Sequence, residues 1–288
     1  MHPLDLVGLT PLLGRTTGSP DLTIGLIDGP VFMEHPELDS QYIREIPGSR
    51  NGSCKQSTNS ACSHGTFVAG ILSAKRGSVA PGICPSCTVL ARPIFAESTS
   101  AADPTPSATP SDLAQAILEC LDAGARLINV SAALAQVSSK NEQILTDALD
   151  RAARLEVIVL VAAGNEGSVG STSITSHPWV IPVVGYDLHG RPLNFTNLGS
   201  SIGRRGLGAP GDQITSLGTS GKPLTMSGTS AATPFVTGAI ALLWSAFPKA
   251  TVALLKAAIT QAHAPRRTTV VPPLMDAWAA YQFIRGAQ

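Results

Sequence analysis

Four polar residues interrupt apolar stretches of this sequence, and their types are those of acyl transfer. Asp28 closes the run Leu22-Thr23-Ile24-Gly25-Leu26-Ile27. A carboxylate at the end of a buried strand can hold a histidine in one tautomer and stabilise the imidazolium formed during proton transfer. Read alone, an aspartate here is more often a turn or cap residue. His64, in Ser63-His64-Gly65-Thr66-Phe67-Val68-Ala69-Gly70, offers a general base at a helix start, and Gly65 and Gly70 let that helix pack closely. Ser230 lies in Ser227-Gly228-Thr229-Ser230-Ala231-Ala232-Thr233-Pro234, ahead of the nearly continuous apolar stretch Phe235 to Phe247. A helix apolar on all sides is buried, so its first turn faces the interior or a cleft, and Pro234 suits such a first turn. Ser230 there is a nucleophile or, like Ser227 and Thr229, a helix cap. The free N–H groups and positive end of the helix would stabilise an oxyanion. Asn165, in Val161-Ala162-Ala163-Gly164-Asn165-Glu166-Gly167, follows another apolar run. Its amide offers a further oxyanion donor, while Gly-Asn alone is a turn.

The elements that must position these residues alternate in type. Strand patterns at Leu22–Ile27, Thr88–Ile94, Leu127–Ser131, Val157–Ala162 and Val180–Val184 are interleaved with helical patterns at Gly65–Ala74, Asp112–Ala123 and Asn141–Leu155. That alternation predicts an α/β fold with a mainly parallel central sheet and helices on both faces. In such sheets chemistry gathers beyond the carboxyl ends of the strands, where Asp28 and Asn165 stand. There is no internal repeat. The Pro/Ser/Thr/Ala-rich stretch Ser98 to Ser111 reads as a low-complexity surface loop, because the alternation resumes after it. Residues 1–288 read as one domain, with 1–20 as an N-terminal extension.

Composition removes several functions. Lys+Arg 20 and Asp+Glu 20 cancel, so no bulk field draws nucleic acid or an acidic membrane surface. No apolar run reaches the length of a membrane helix, and Met1-His2-Pro3-Leu4-Asp5 lacks a basic segment followed by an apolar one. The expectation is a soluble, cytoplasmic chain without a membrane partner. Of the five cysteines, Cys54 and Cys62 enclose a polar loop and form a candidate disulfide. Cys84 and Cys87 form a C-x-x-C and a second candidate pair; no further Cys/His pair at zinc spacing accompanies them, so no metal is expected. Cys120 reads as a small buried hydrophobe.

Aspartate after a strand, then His-Gly-Thr, then Ala-Gly-Asn, then Gly-Thr-Ser before a buried helix resembles the subtilisin-like serine proteases from about Leu22 to Thr260. The resemblance implies the three-layer subtilisin-like sandwich, a triad of Asp28, His64 and Ser230, Asn165 as oxyanion donor, and no cofactor. Further segments narrow it. Leu9-Thr10-Pro11-Leu12-Leu13, Ile27-Asp28-Gly29-Pro30-Val31 with His35-Pro36, and Pro81-Gly82-Ile83-Cys84-Pro85-Ser86-Cys87 leading to Arg92-Pro93-Ile94-Phe95 are similar to the cyanobactin-maturation branch. Its members process ribosomally made precursor peptides inside the producing cell, either removing a leader or joining the new ends into a ring.

The resemblance also implies a peptide substrate lying extended beside Ser131-Ala132-Ala133, with Ala162-Ala163-Gly164 as the other pocket wall. Ala133 stands where the family usually has glycine, Ala231 where it often has methionine, and Phe235 where a histidine is common. Macrocyclizing relatives carry a helical insertion between the catalytic aspartate and histidine; here the separation is 64 − 28 = 36 residues, which favours hydrolysis. Secreted relatives bind calcium through an Asn-rich loop after the histidine helix. The matching Ser73-Ala74-Lys75-Arg76-Gly77-Ser78 offers two cations instead. A precursor-peptide hydrolase is therefore expected. The alternatives are a general degradative subtilase, a macrocyclase, and an inactive peptide-binding fold.

Overall fold

The computed structural model describes residues 1–47, 54, 59–95, 109–131, 142–261 and 268–287. Seven strands run through it: β1 (Thr23–Asp28), β2 (Ile43–Glu45), β3 (Thr88–Pro93), β4 (Leu127–Val130), β5 (Ile158–Ala162), β6 (Ile181–Tyr186) and β7 (Leu207–Pro210). They form one sheet in the order β2-β3-β1-β4-β5-β6-β7, with every neighbouring pair parallel. An antiparallel hairpin of β8 (Ile214–Ser216) and β9 (Leu224–Met226) follows. The chain places β3 on one side of β1 and then returns to lay β4 on the other. The strand order reverses at β1, so Asp28, its last residue, borders the crevice where such sheets bind ligands.

Side chains alternate across the sheet into two cores. Ile24, Leu26, Ile158 and Leu160 join the side of the Ser60–Ser73 and Thr229–Ala246 helices. Ile27, Ile128, Val130, Val159 and Val161 join the Pro110–Asp122 and Glu142–Arg154 helices. Each fully buried aliphatic side chain contributes about 1.5–3 kcal/mol. The Thr229–Ala246 helix is buried almost all round, as its unbroken apolar sequence requires.

Helix starts differ from the sequence expectation, and caps explain why. The histidine helix begins at Ser60 and not at Gly65, because Asn59 Oδ1 accepts the N–H groups of Ala61 and Cys62 at 2.9 and 3.2 Å. Thr109 and Asp112 form a capping box with Pro110 in the first turn, so the insert expected to run to Ser111 ends at Thr109; positions 98–108 lie outside the described residues. The helix that carries Ser230 begins at Thr229, which leaves Pro234 inside it and not in the first turn. Part of the expected N-terminal extension belongs to the core. Val7, Leu9 and Leu12 are fully buried, and Ala277 N–H donates to the Val7 carbonyl at 2.9 Å.

Cys54 and Cys62 are joined as a disulfide with Cα atoms 5.5 Å apart. The second expected pair is not: Cys84 and Cys87 are free, buried thiols, one hydrogen-bonded to the other within a turn closed by Cys87 N–H to the Cys84 carbonyl at 3.0 Å. That shared hydrogen bond raises the Cys84 thiol and lowers the Cys87 thiol. Cys120 is also free, and burial pushes its thiol up to about 12. Among the described residues no helix is long and apolar enough to cross a membrane.

Candidate active site

The structure brings Asp28, His64 and Ser230 into one line. Asp28 is fully buried at the end of β1, and its Oδ1 accepts the Gly29 N–H at 2.5 Å. The same oxygen faces His64 Nδ1 at 2.6 Å, and His64 Nε2 lies 2.9 Å from Ser230 Oγ. With Nδ1–H donating to the carboxylate, Nε2 keeps its lone pair for the serine hydroxyl. Burial by itself would lower the pKa of His64. The Asp28 charge and hydrogen bond outweigh it, and the pKa stands above its ordinary value. The site therefore favours the imidazolium that proton transfer from Ser230 would create.

Close backbone approach sets this line. A Cβ on Gly65 would run into the Gly29 carbonyl, and one on Gly29 into the Ala61 carbonyl, so the histidine helix lies directly on the loop leaving β1. Thr66 Oγ1 adds a hydrogen bond from Phe32 N–H at 2.9 Å. Hairpin and helix are tied by Ser216 Oγ donating to the Phe67 carbonyl at 2.8 Å.

Asn165 stands at the start of the Thr229–Ala246 helix. Its Oδ1 accepts the Thr229 N–H at 2.9 Å, which caps the helix and fixes the amide orientation. Its Nδ2, without a partner among the described residues, and Ser230 Oγ border one space: the point where a Gly228 Cβ would lie is 3.4 Å from the first and 3.5 Å from the second. First-turn N–H groups of a helix have no intrahelical acceptor, so an oxyanion in that space would meet donors already in place.

Asn197 holds the Asn165 loop and had no signal in the sequence. Its Oδ1 accepts Glu166 and Ser168 N–H at 3.1 and 3.0 Å, and its Nδ2 donates to the Ala163 carbonyl at 3.2 Å and to the Glu166 carboxylate. Gly164, at φ +104°, passes beside it, and a Cβ there would strike the Asn197 amide.

The expected groove residues fare unevenly. Ala162, Ala163 and Gly164 lead from β5 into the Asn165 loop, while Ala132 and Ala133 lie outside the described residues. Ser131 is buried, and its hydroxyl turns to the main chain of Ser230, donating to its carbonyl at 3.2 Å. Of the two cations in the loop after the histidine helix, Lys75 donates to the Pro36 carbonyl at 2.7 Å. Arg76 donates to the Ile83 and Thr16 carbonyls at 2.9 and 3.4 Å. Among the described residues no three of His, Cys, Asp or Glu gather in a metal-binding group.

The subtilase family model, Peptidase S8, matches residues 19–274. The chain is 34% identical over 232 residues to a thermophilic serine proteinase of Bacillus sp. (strain AK1), across 80% of this chain and 54% of that protein. It thus spans about half the length of that curated relative. Among solved structures, a mutant of the protease domain of PatA superposes with TM-score 0.86 at 28% identity, over 96% of this chain and 99% of that one. The prenylagaramide maturation protease PagA superposes with TM-score 0.83 at 28% identity, over 96% and 98%. A seven-stranded parallel sheet with this line of residues at its switch point, matched by the family model over most of its length, assigns the chain to the subtilase family.

Proposed function

We propose that this chain is a serine endopeptidase that removes the leader from a ribosomally made precursor peptide. The observation that carries the reaction is the Asp28–His64–Ser230 line, with contacts of 2.6 and 2.9 Å. His64 takes the Ser230 proton as Oγ attacks the scissile carbonyl, and Asp28 stabilises the resulting imidazolium. Asn165 Nδ2 and the first-turn N–H groups receive the developing oxyanion. His64 then protonates the leaving amine, and water releases the acyl group by the same base.

The substrate class rests on the structural likeness to PatA and PagA, both maturation proteases. Processing of a precursor at its site of synthesis would place the enzyme in the cytoplasm. The test is mass spectrometry of candidate precursor peptides incubated with the protein and with its Ser230→Ala variant. A linear leader and core, absent with the variant, are expected. A head-to-tail ring, one water lighter than the linear core, would overturn hydrolysis. The sequence likeness to the Bacillus proteinase favours a second reading, a general degradative protease; casein cut as readily as a leader-bearing peptide would support it.

A further inference from the structure

The helix that carries Ser230 has a break in its hydrogen-bond ladder at the nucleophile itself. In an α-helix the carbonyl of residue i accepts the N–H of residue i+4. For Ser230 that residue is Pro234, which lies inside the Thr229–Ala246 helix and has no N–H. A part-buried carbonyl left this way takes a donor from elsewhere. Ser131, just beyond the end of β4, supplies it at 3.2 Å.

The donor is aimed by a chain of polar groups behind it. Asn129 Nδ2 donates to Ser131 Oγ at 2.8 Å, which leaves the single hydroxyl proton to point at Ser230. Thr237 Oγ1, two turns down the same helix, lies 2.8 Å from Asn129 Oδ1 and 3.1 Å from the Thr233 carbonyl, and its proton on the nearer amide oxygen holds the Asn129 amide that way round. Asn129 and Thr237 are fully buried. The neighbouring Thr229 carbonyl, by contrast, takes a hydroxyl from within its own helix, Thr233 Oγ1 at 2.8 Å.

We propose that Ser131 is a positioning residue of the peptidase reaction, locking the main chain of the nucleophile to the end of β4 at the gap that Pro234 opens. The proposal rests on the peptidase reading. Its consequence is geometric: the Ser230 carbonyl clamp fixes the backbone from which Oγ reaches His64 Nε2. Small misplacements there reduce turnover steeply while leaving substrate binding alone.

The test is a cycle of Ser131→Ala and Pro234→Ala, read as kcat and KM on a chromogenic peptide amide. Ser131→Ala lowers kcat about five- to tenfold, the size of one hydrogen bond, with KM within about twofold and the acid limb of the pH profile unmoved. Pro234→Ala restores an N–H for the Ser230 carbonyl, so in that background the cost of Ser131→Ala falls to within about twofold. A Ser131→Ala enzyme with unchanged kcat, a rise in KM alone, or equal losses in both backgrounds would overturn the clamp. Should Ser131→Ala fail to fold, Thr237→Val frees the Asn129 amide and is expected to lower kcat about two- to threefold, only where Pro234 is present; no loss would overturn the clamp as well. Labelling of wild-type Ser230 by a fluorophosphonate separates the two levels. An unlabelled wild type sinks the peptidase reading and the clamp with it, whereas a labelled wild type with an indifferent Ser131→Ala sinks the clamp alone.

Discussion

Asp28→Asn separates the charge of this aspartate from its role in orientation. Oδ1 accepts both Gly29 N–H and His64 Nδ1–H, while Oδ2 is buried without a partner among the described residues. An asparagine therefore keeps its oxygen where two donors converge and turns its NH2 into the Oδ2 position. The histidine stays in the productive tautomer. Only the charge is lost, together with about 1–3 kcal/mol of stability for the unsatisfied amide. A carboxylate and an imidazolium with centres about 4 Å apart interact by roughly 4 kcal/mol at an effective dielectric of about 20. That corresponds to a loss of about 10³ in kcat/KM, short of the ~10⁴ that follows when the tautomer is wrong. The assay is kcat/KM against pH on a chromogenic peptide amide. In the wild type the acid limb is expected above the ordinary imidazole value, because Asp28 raises the His64 pKa against burial. In the variant only burial remains, and the limb is expected to move down past that value. A loss under about tenfold, or a large loss with the limb unmoved, would refute the assignment of the charge to the imidazolium.

Asn165→Ala leaves the proton relay intact and removes one oxyanion donor, so kcat falls about 10²–10³-fold with KM and the acid limb nearly unchanged on the same substrate. It also uncaps Thr229, and the helix-capping loss is about 1 kcal/mol by urea titration. Arg76→Ala removes donors from two main-chain carbonyls; about 1–2 kcal/mol and a few degrees of thermal midpoint are expected to go. Chelator should leave the wild-type midpoint unchanged, and a clear drop would show a bound divalent ion. Reducing the Cys54–Cys62 disulfide, which closes a separation of 8 residues, costs about 2 kcal/mol, read as a lower urea midpoint that Cys54→Ser reproduces without reductant.

The parts of the fold legible in the sequence are those whose burial is complete. β1, β3, β4 and β5 are covered on both faces, so they appear as mostly apolar, β-branched runs bounded by polar loops, interrupted in β3 by Arg92 and in β4 by Asn129. β2 was illegible because Ile43-Arg44-Glu45 buries one residue and lies at the sheet edge. β7, Leu207-Gly208-Ala209-Pro210, carries two turn-forming residue types. Gly208 is there for another reason: a side chain would strike the Tyr186 ring on the neighbouring strand.

The same distinction runs through the site. Asp28, His64 and Ser230 were legible as candidates because each sets a reactive group beside buried apolar sequence. Asn197, Asn129 and Thr237 are ordinary polar residues until the fold brings each to its partner, 31 residues away for the Asn197–Glu166 contact and 108 for Thr237–Asn129. Pro234 marks the boundary between the two kinds. Its sequence position admits a helix start or a helix interior, and the structure shows the second, with Asn165, 64 residues away, accepting the Thr229 N–H at the helix start. Once the helix starts at Thr229, the missing N–H falls opposite the Ser230 carbonyl and not on a free end. A residue that would have been neutral in the first turn thereby creates the opening that a hydroxyl from β4's end fills, and the nucleophile becomes anchored to the sheet.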